Sequence, residues 1–215
     1  MEFSFPKIYP ILDASVFPSV ALGRAAFLER LGNELAAAGV TLLEYRNKTG
    51  GFEELLTDAA ILRRACPVGQ VKLILDDRAD LVDSAGFDGV HVDSGDMNPA
   101  EARWLLGPEG IIGTFGGSEM LLPGILNEPV DYLSIGPVFP TTTKQTTKAP
   151  IGVGGVRKLR QEAGPGAILV GVGGITLETA AAILEAGATE VAVSAAIFRA
   201  PDPAGEFRRW RSELG

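Results

Sequence analysis

Three charged side chains, Glu44, Arg46 and Lys48, stand at alternate positions in the otherwise apolar run VTLLEYRNK. In an extended strand that spacing turns all three to one face. Such a face needs water, partners or a ligand. Arg46 and Lys48 suit an anion, the first as a planar fork and the second as a point charge. The alternative is a strand that frays here, with its charges in solvent. Asp76, Asp77 and Arg78 end a second apolar run, while a third runs through His91 into Asp93 and Asp96. If those ends are neighbours, several carboxylates meet in a site for a hard cation. Oxygen donors without cysteine, with a single uncommitted histidine, favour Mg2+ over zinc, and Mg2+ held by one or two carboxylates usually also holds substrate phosphates. Asp76 or Asp77 is equally suited to capping the following helix, and a lone His91 in an apolar strand reads first as a hydrogen-bonded core residue.

Residues 136–148, GPVFPTTTKQTTK, bring proline-restricted backbone, five threonine hydroxyls and two lysines into one loop. That composition predicts an anion-binding lid, the bland alternative being a solvated polar loop. Gly171, Gly173 and Gly174 precede Thr176, a residue fit to cap a helix, and bare amides at a helix N-terminus attract phosphate. A final apolar run ends at Ser194, Ala195 and Ala196.

Positioning these groups requires a scaffold of alternating strands and helices. Strands are expected at residues 7–12, 40–46, 70–75, 88–92, 110–113, 131–135, 167–172 and 189–193, with helices filling the gaps. A helix over 21–38 places Ala25, Leu28, Leu31, Leu35 and Ala38 on one stripe and ends at Gly39, while a later one begins at Thr176, buries Leu177, Ala180, Ile183 and Leu184, and stops at Gly187. Strand-helix alternation argues for a parallel sheet with crossover helices. Eight units at about 27 residues each are near the lower limit of a closed (β/α)8 TIM barrel, expected here as one domain over residues 1–215. In such a barrel the strand ends carry the site, and the loops after strands 7 and 8 recurrently hold phosphate. An open doubly wound sheet is the runner-up, but the first turn has no G-x-G-x-x-G.

A chain of 215 residues buries about 70% of its unfolded surface and needs no staple. No apolar run approaches membrane-spanning length. With 19 Lys+Arg against 27 Asp+Glu the net charge is −8, which repels nucleic acid and anionic membranes, so an anionic ligand must be held by a local site. Cys66 is the single cysteine, and residues 1–10 lack signal-peptide character, so the cytoplasm is expected. Homo-oligomerisation stays open on the sequence.

In order along nearly the whole chain, YRNK at 45–48, LILDDRADL at 73–81, DGVHVDSGDM at 88–97, GPVFPTTTK at 136–144, GVGGI at 171–175 and VSAAIF at 193–198 resemble the thiamine phosphate synthase family, which also includes thiazole tautomerases. The resemblance implies a transferase that joins a hydroxymethylpyrimidine pyrophosphate to a thiazole phosphate and releases pyrophosphate with Mg2+. By position, it implies that Arg46 and Lys48 hold pyrophosphate, that Asp77 and Asp96 ligate Mg2+, and that Lys144 bridges both phosphate groups. Thr141, Thr143 and the Gly174 amide would meet the thiazole phosphate, with Ser194 nearby. Several positions depart from the family pattern. Glu44 stands where the family has Gln against the pyrimidine, Asp76 where it has Asn beside pyrophosphate, Ser94 where it has Gln, and Phe115 and Ala195 where it has Ser. Gly117 stands where relatives often carry the tautomerase histidine. A binding-only member that keeps its phosphate loops is the rival reading. A Schiff-base aldolase is disfavoured, since strand 6 has no lysine and Lys72 lies well before the carboxyl end of strand 3.

Overall fold

Short β-branched runs buried on both faces are what a covered parallel sheet selects, and here they close into a ring. The computed structural model describes residues 3–17, 23–143 and 146–215. Its strands are β1 (Ile8–Asp13), β2 (Leu42–Arg46), β3 (Lys72–Asp76), β4 (Gly89–Val92), β5 (Ile111–Gly117), β6 (Tyr132–Ile135), β7 (Leu169–Val172) and β8 (Glu190–Val193). Each pairs in parallel with the next, and β8 returns to β1, so the expected closed barrel is what forms and the open sheet is excluded. The helices are α1 (Arg24–Ala38), α2 (Phe52–Ala65), α3 (Val82–Ala85), α4 (Pro99–Leu106), α5 (Gly152–Ala163), α6 (Leu177–Glu185), α7 (Ala195–Phe198) and α8 (Pro203–Leu214).

Three expectations about elements need correction. The gap between β5 and β6 carries only a 3-10 turn, Ile125–Asn127. Pro123, Gly124 and Pro129 interrupt that segment, and proline removes amide donors and clashes inside a helix. Strand β5 also runs to Gly117, beyond the expected end at residue 113. In α1, Leu28, Leu31, Leu35 and Ala38 are buried as the stripe requires, but Ala25 is exposed in the first turn. Helix α6 begins at Thr176, whose amide donates to Thr179 Oγ1 at 3.0 Å, and buries Leu177, Ala180 and Ile183, with Leu184 half-buried.

Two apolar layers hold the ring. Outward strand residues pack under the helices, while Tyr9, Leu42, Ile74, Ile111, Tyr132, Val170 and Ala192 fill the barrel interior. Gly113 is required there, because a Cβ at that position would run into the Tyr132 ring. Alternation along β2 shows the division of faces: Tyr45 points out to donate to Asp58 of α2, while Glu44 and Arg46 point in.

Candidate active site

Period-two alternation delivers one inward side chain from the carboxyl end of each early strand: Asp13 from β1, Arg46 from β2 and Asp76 from β3. Arg46 donates to Asp13, which β1–β2 register places opposite it, and its Nε stands 3.4 Å from Asp76 Oδ2. Lys48 lies past the end of β2 yet reaches the same point, with Nζ 2.8 Å from Asp76 and also paired to Asp77. The three charges read from the spacing are therefore brought to one end of the barrel, and the frayed-strand alternative fails. Burial alone would depress the Arg46 guanidinium and the Lys48 ammonium, but the facing carboxylates raise both overall. Asp76 is buried, and burial together with the Asp77 charge pushes its carboxyl up to about 6 against the pull of Lys48 and Arg46.

Neither Asp76 nor Asp77 caps the next turn, whose cap position is Arg78 without a side-chain bond. Asp77 instead adopts φ 67, the left-handed region, which aspartate tolerates better than most residues. That backbone aims its carboxyl at Lys48 and at Asp96, with which it shares a hydrogen bond. Asp96 Oδ2 accepts from the Asp93 amide at 2.8 Å, and burial followed by the nearby Asp77 raises its carboxyl. Two converging carboxylates with oxygen donors only are the set that Mg2+ takes when phosphate oxygens complete its shell. Among the described residues no group of three or more His, Cys, Asp or Glu side chains is placed to hold a metal ion.

A cavity of about 750 Å3 opens at this end of the barrel. Its floor is a chain of hydrogen bonds: Tyr9 donates to Glu44 Oε2 at 2.9 Å, the Tyr9 and Tyr132 hydroxyls lie 2.9 Å apart, and His91 Nδ1 is 3.1 Å from the Tyr132 hydroxyl. His91 also stacks on Tyr132, so the core reading of this histidine accounts for its position. Thr141, Thr143, Gly174 and Ser194 all line the cavity, as do the departing residues Ser94, Phe115 and Ala195. Lys148 sits 3.3 Å from the Phe115 ring centroid, a cation-π contact between the 136–148 loop and β5. Lys144 lies outside the described residues.

The lid start is zipped to the glycine turn, with the amides of Val138 and Phe139 donating to the carbonyls of Val172 and Gly173 at 2.8 and 3.0 Å. Gly173 and Gly174 have φ 93 and 65, and a Cβ on Gly174 would fall against the backbone of Phe139 and Pro140. Only glycine lets lid and turn approach so closely.

The sequence reading missed Asp13, Tyr9, Tyr132 and Arg199. Asp13 had a usable signal, since it ends a barrel strand. The tyrosines read as ordinary apolar strand residues, and Arg199 lies past the last strand.

With the site in view, comparison with known proteins bears on all of it. A family model described as thiamine monophosphate synthase matches residues 9–197. A thiamine-phosphate synthase of Koribacter versatilis is 42% identical over 204 residues, covering 94% of each chain. One from Agrobacterium fabrum is 34% identical, covering 97% of this chain and 93% of its own. Among solved structures, a thiamine phosphate pyrophosphorylase from Pyrococcus furiosus superimposes with TM-score 0.75 at 26% identity, over 97% of this chain and 95% of that one. The motifs at the barrel mouth and the length of these matches agree: the chain belongs to the thiamine monophosphate synthase family.

Proposed function

We infer that the protein is a thiamine-phosphate synthase, a transferase joining a hydroxymethylpyrimidine pyrophosphate to a thiazole phosphate with release of pyrophosphate. The observation that carries this reading is one cavity with two different anion-holding ends. Arg46 and Asp76 line it at the ends of β2 and β3, with Lys48 paired to Asp76 and the Asp77–Asp96 pair just beyond the lining, and glycine amides with threonine hydroxyls line it at β6 to β8. Small phosphorylated molecules are therefore the partners, and no helix among the described residues is long and apolar enough to cross a membrane. The cytoplasm suits a chain whose one thiol is buried and pushed up to about 11 by that burial.

In the reaction, the carbon-oxygen bond of the pyrimidine substrate breaks, its electron pair stays on pyrophosphate, and a thiazole ring atom supplies the pair for the new bond. Negative charge on the leaving group grows as the bond lengthens, so fixed cations stabilise the transition state more than the ground state. Arg46 and Lys48 supply that stabilisation, with Asp13 holding Arg46 in place. Mg2+, held by Asp77 and Asp96, would add positive charge beside the leaving oxygens. The buried floor of Tyr9, Glu44 and Tyr132 shapes the space between the two ends.

The tautomerase reading is not favoured. Gly117 has φ 147, and a Cβ there would strike the Met120 carbonyl, so this backbone has no room for the side chain that activity uses. The aldolase reading fares no better, since Lys72 opens β3 at the far end of the barrel, bound to Asp88 at 2.8 Å.

Purified protein given both substrates and Mg2+ should release pyrophosphate; a folded protein that binds the thiazole phosphate without turnover would instead be a binding-only relative. Asp76→Asn should keep or increase the rate and lower KM for the pyrimidine substrate by up to about tenfold, because it removes a carboxylate that competes for Arg46 and Lys48. A large loss of rate with weaker Mg2+ affinity would make Asp76 a third metal ligand. Gly174→Val should weaken thiazole phosphate binding by roughly 100-fold or more in calorimetry, because a side chain there strains the left-handed backbone and pushes the lid away. Wild-type affinity would contradict the phosphate assignment.

A further inference from the structure

The charges lining the cavity are unevenly divided. Among the described lining residues every carboxylate comes from β1 to β4 or the turns after them: Asp13, Glu44, Asp76 and Asp93. The described lining residues from β5 to β8 and their loops include no carboxylate, Glu190 of β8 lying buried outside the lining, and their cations are Lys148 and Arg199. Arg199 follows α7, is exposed, and forms no ion pair or side-chain hydrogen bond with any described residue. Arg46 is in the opposite situation, already engaged by two carboxylates. In a ring of eight strands, the end of β8 lies across from β4, so Arg199 stands opposite the Asp93–Asp96 turn.

At the other end of α7 from Arg199 the chain places an unsatisfied donor. Ser194 Oγ is shielded from solvent and has no hydrogen-bond partner among the described residues, and Ser194 lines the cavity at the end of β8. A hydroxyl, a glycine turn and a guanidinium with no partner among the described residues, all on the part of the lining that carries no carboxylate, form an anion pocket with a charge requirement. Amides and hydroxyls hold phosphate oxygens but do not neutralise them, whereas guanidinium does, with two parallel donors. On a chain of net charge −8, that distinction decides whether a dianion stays.

We propose that Arg199 is a specificity-determining residue that selects the doubly charged phosphate monoester at the β7–β8 end of the cavity, against uncharged or singly charged analogues of the same ring. The assignment rests on the synthase reading for the identity of the ring, but not for the anion itself.

The test compares wild type with Arg199→Gln and Arg199→Lys. Arg199→Gln should raise KM for the thiazole phosphate about tenfold, leave KM for the pyrimidine pyrophosphate within about twofold, and lower kcat far less than it raises KM, as expected for a lost charge-assisted contact to one substrate. Arg199→Lys should recover part of the loss. Selectivity for the thiazole phosphate over the corresponding alcohol should fall by a similar factor in Arg199→Gln. Calorimetric titration with inorganic phosphate gives a second readout that needs no turnover, and it should show the same order: wild type, then Lys, then Gln. If wild type shows no synthase activity but phosphate binding follows that order, the synthase reading fails and the Arg199 assignment survives. An equal rise in KM for both substrates would mean diffuse attraction, and unchanged phosphate binding in Arg199→Gln would mean no contact; either result overturns the proposal.

Discussion

Asp77→Asn is expected to reduce Mg2+-supported pyrophosphate release by roughly 10^3-fold while the protein stays folded. Asparagine is the informative replacement, because Asp77 has φ 67 and asparagine is the other non-glycine residue that accepts the left-handed region readily. Alanine there would add backbone strain of roughly 1–2 kcal/mol and blur loss of a ligand with loss of local structure. The substitution keeps size and hydrogen-bonding capacity but removes one of the two carboxylates that converge at the end of β3 and β4. Lys48 keeps its 2.8 Å pairing to Asp76, so the cation on the leaving-group side stays in place. Rate should therefore fall together with apparent Mg2+ affinity, measured by titrating the metal at saturating substrates. A variant whose rate and Mg2+ dependence match wild type would remove Asp77 from the metal site.

Glu190 dominates the expected response of stability to pH. It opens β8 in register with Val170, on the inward face it shares with Ala192, and it is completely buried, with no partner for either carboxyl oxygen among the described residues. Burial raises its carboxyl from 4.5 to about 9. Between those values the folded chain keeps a proton that the unfolded chain releases, so the unfolded state binds fewer protons and stability falls as pH rises. Its contribution is fully present below the lower value and is lost progressively up to the higher one. At about 1.4 kcal/mol per pH unit, the loss from pH 5 to pH 8 is on the order of 4 kcal/mol. Glu190→Gln removes the ionisation, so its advantage over wild type in urea unfolding should grow with each pH unit across that range. Glu190→Leu, which also removes the orphaned polar atoms, should show the same trend. Parallel stability curves for wild type and both variants would show that Glu190 is satisfied in the folded state.

Much of the barrel was legible because its signals are local. All eight strands begin within two residues of their expected starts, since short apolar, β-branched-rich runs bounded by turn residues carry their own boundaries. The missing helix between β5 and β6 was legible too, in Pro123 and Pro129, but expecting a repeating unit overrode that local chemistry.

The site divides along the same line. Period-two spacing in one strand was enough to put Glu44 and Arg46 on one face, and a strand end was enough to mark Asp76 and Asp77, because those facts depend only on backbone geometry. Which carboxylate each cation meets is a different kind of fact. Arg46 meets Asp13 because β1 and β2 are in register at those residues, and Asp96 reaches Asp77 because β3 and β4 are neighbours. Tyr9 and Tyr132 come from positions 123 residues apart, and their hydroxyls meet 2.9 Å apart only because β1 and β6 face across a closed ring. Sequence by itself therefore determined the alternating elements and the types of group at each strand end, since both follow from short-range sterics and side-chain periodicity. Tertiary structure alone decided the pairings, the burial that shifts Asp76 and Glu190, and the gathering of the lining carboxylates on the side of the cavity away from Arg199, since these depend on strand register and ring closure between residues far apart in the chain.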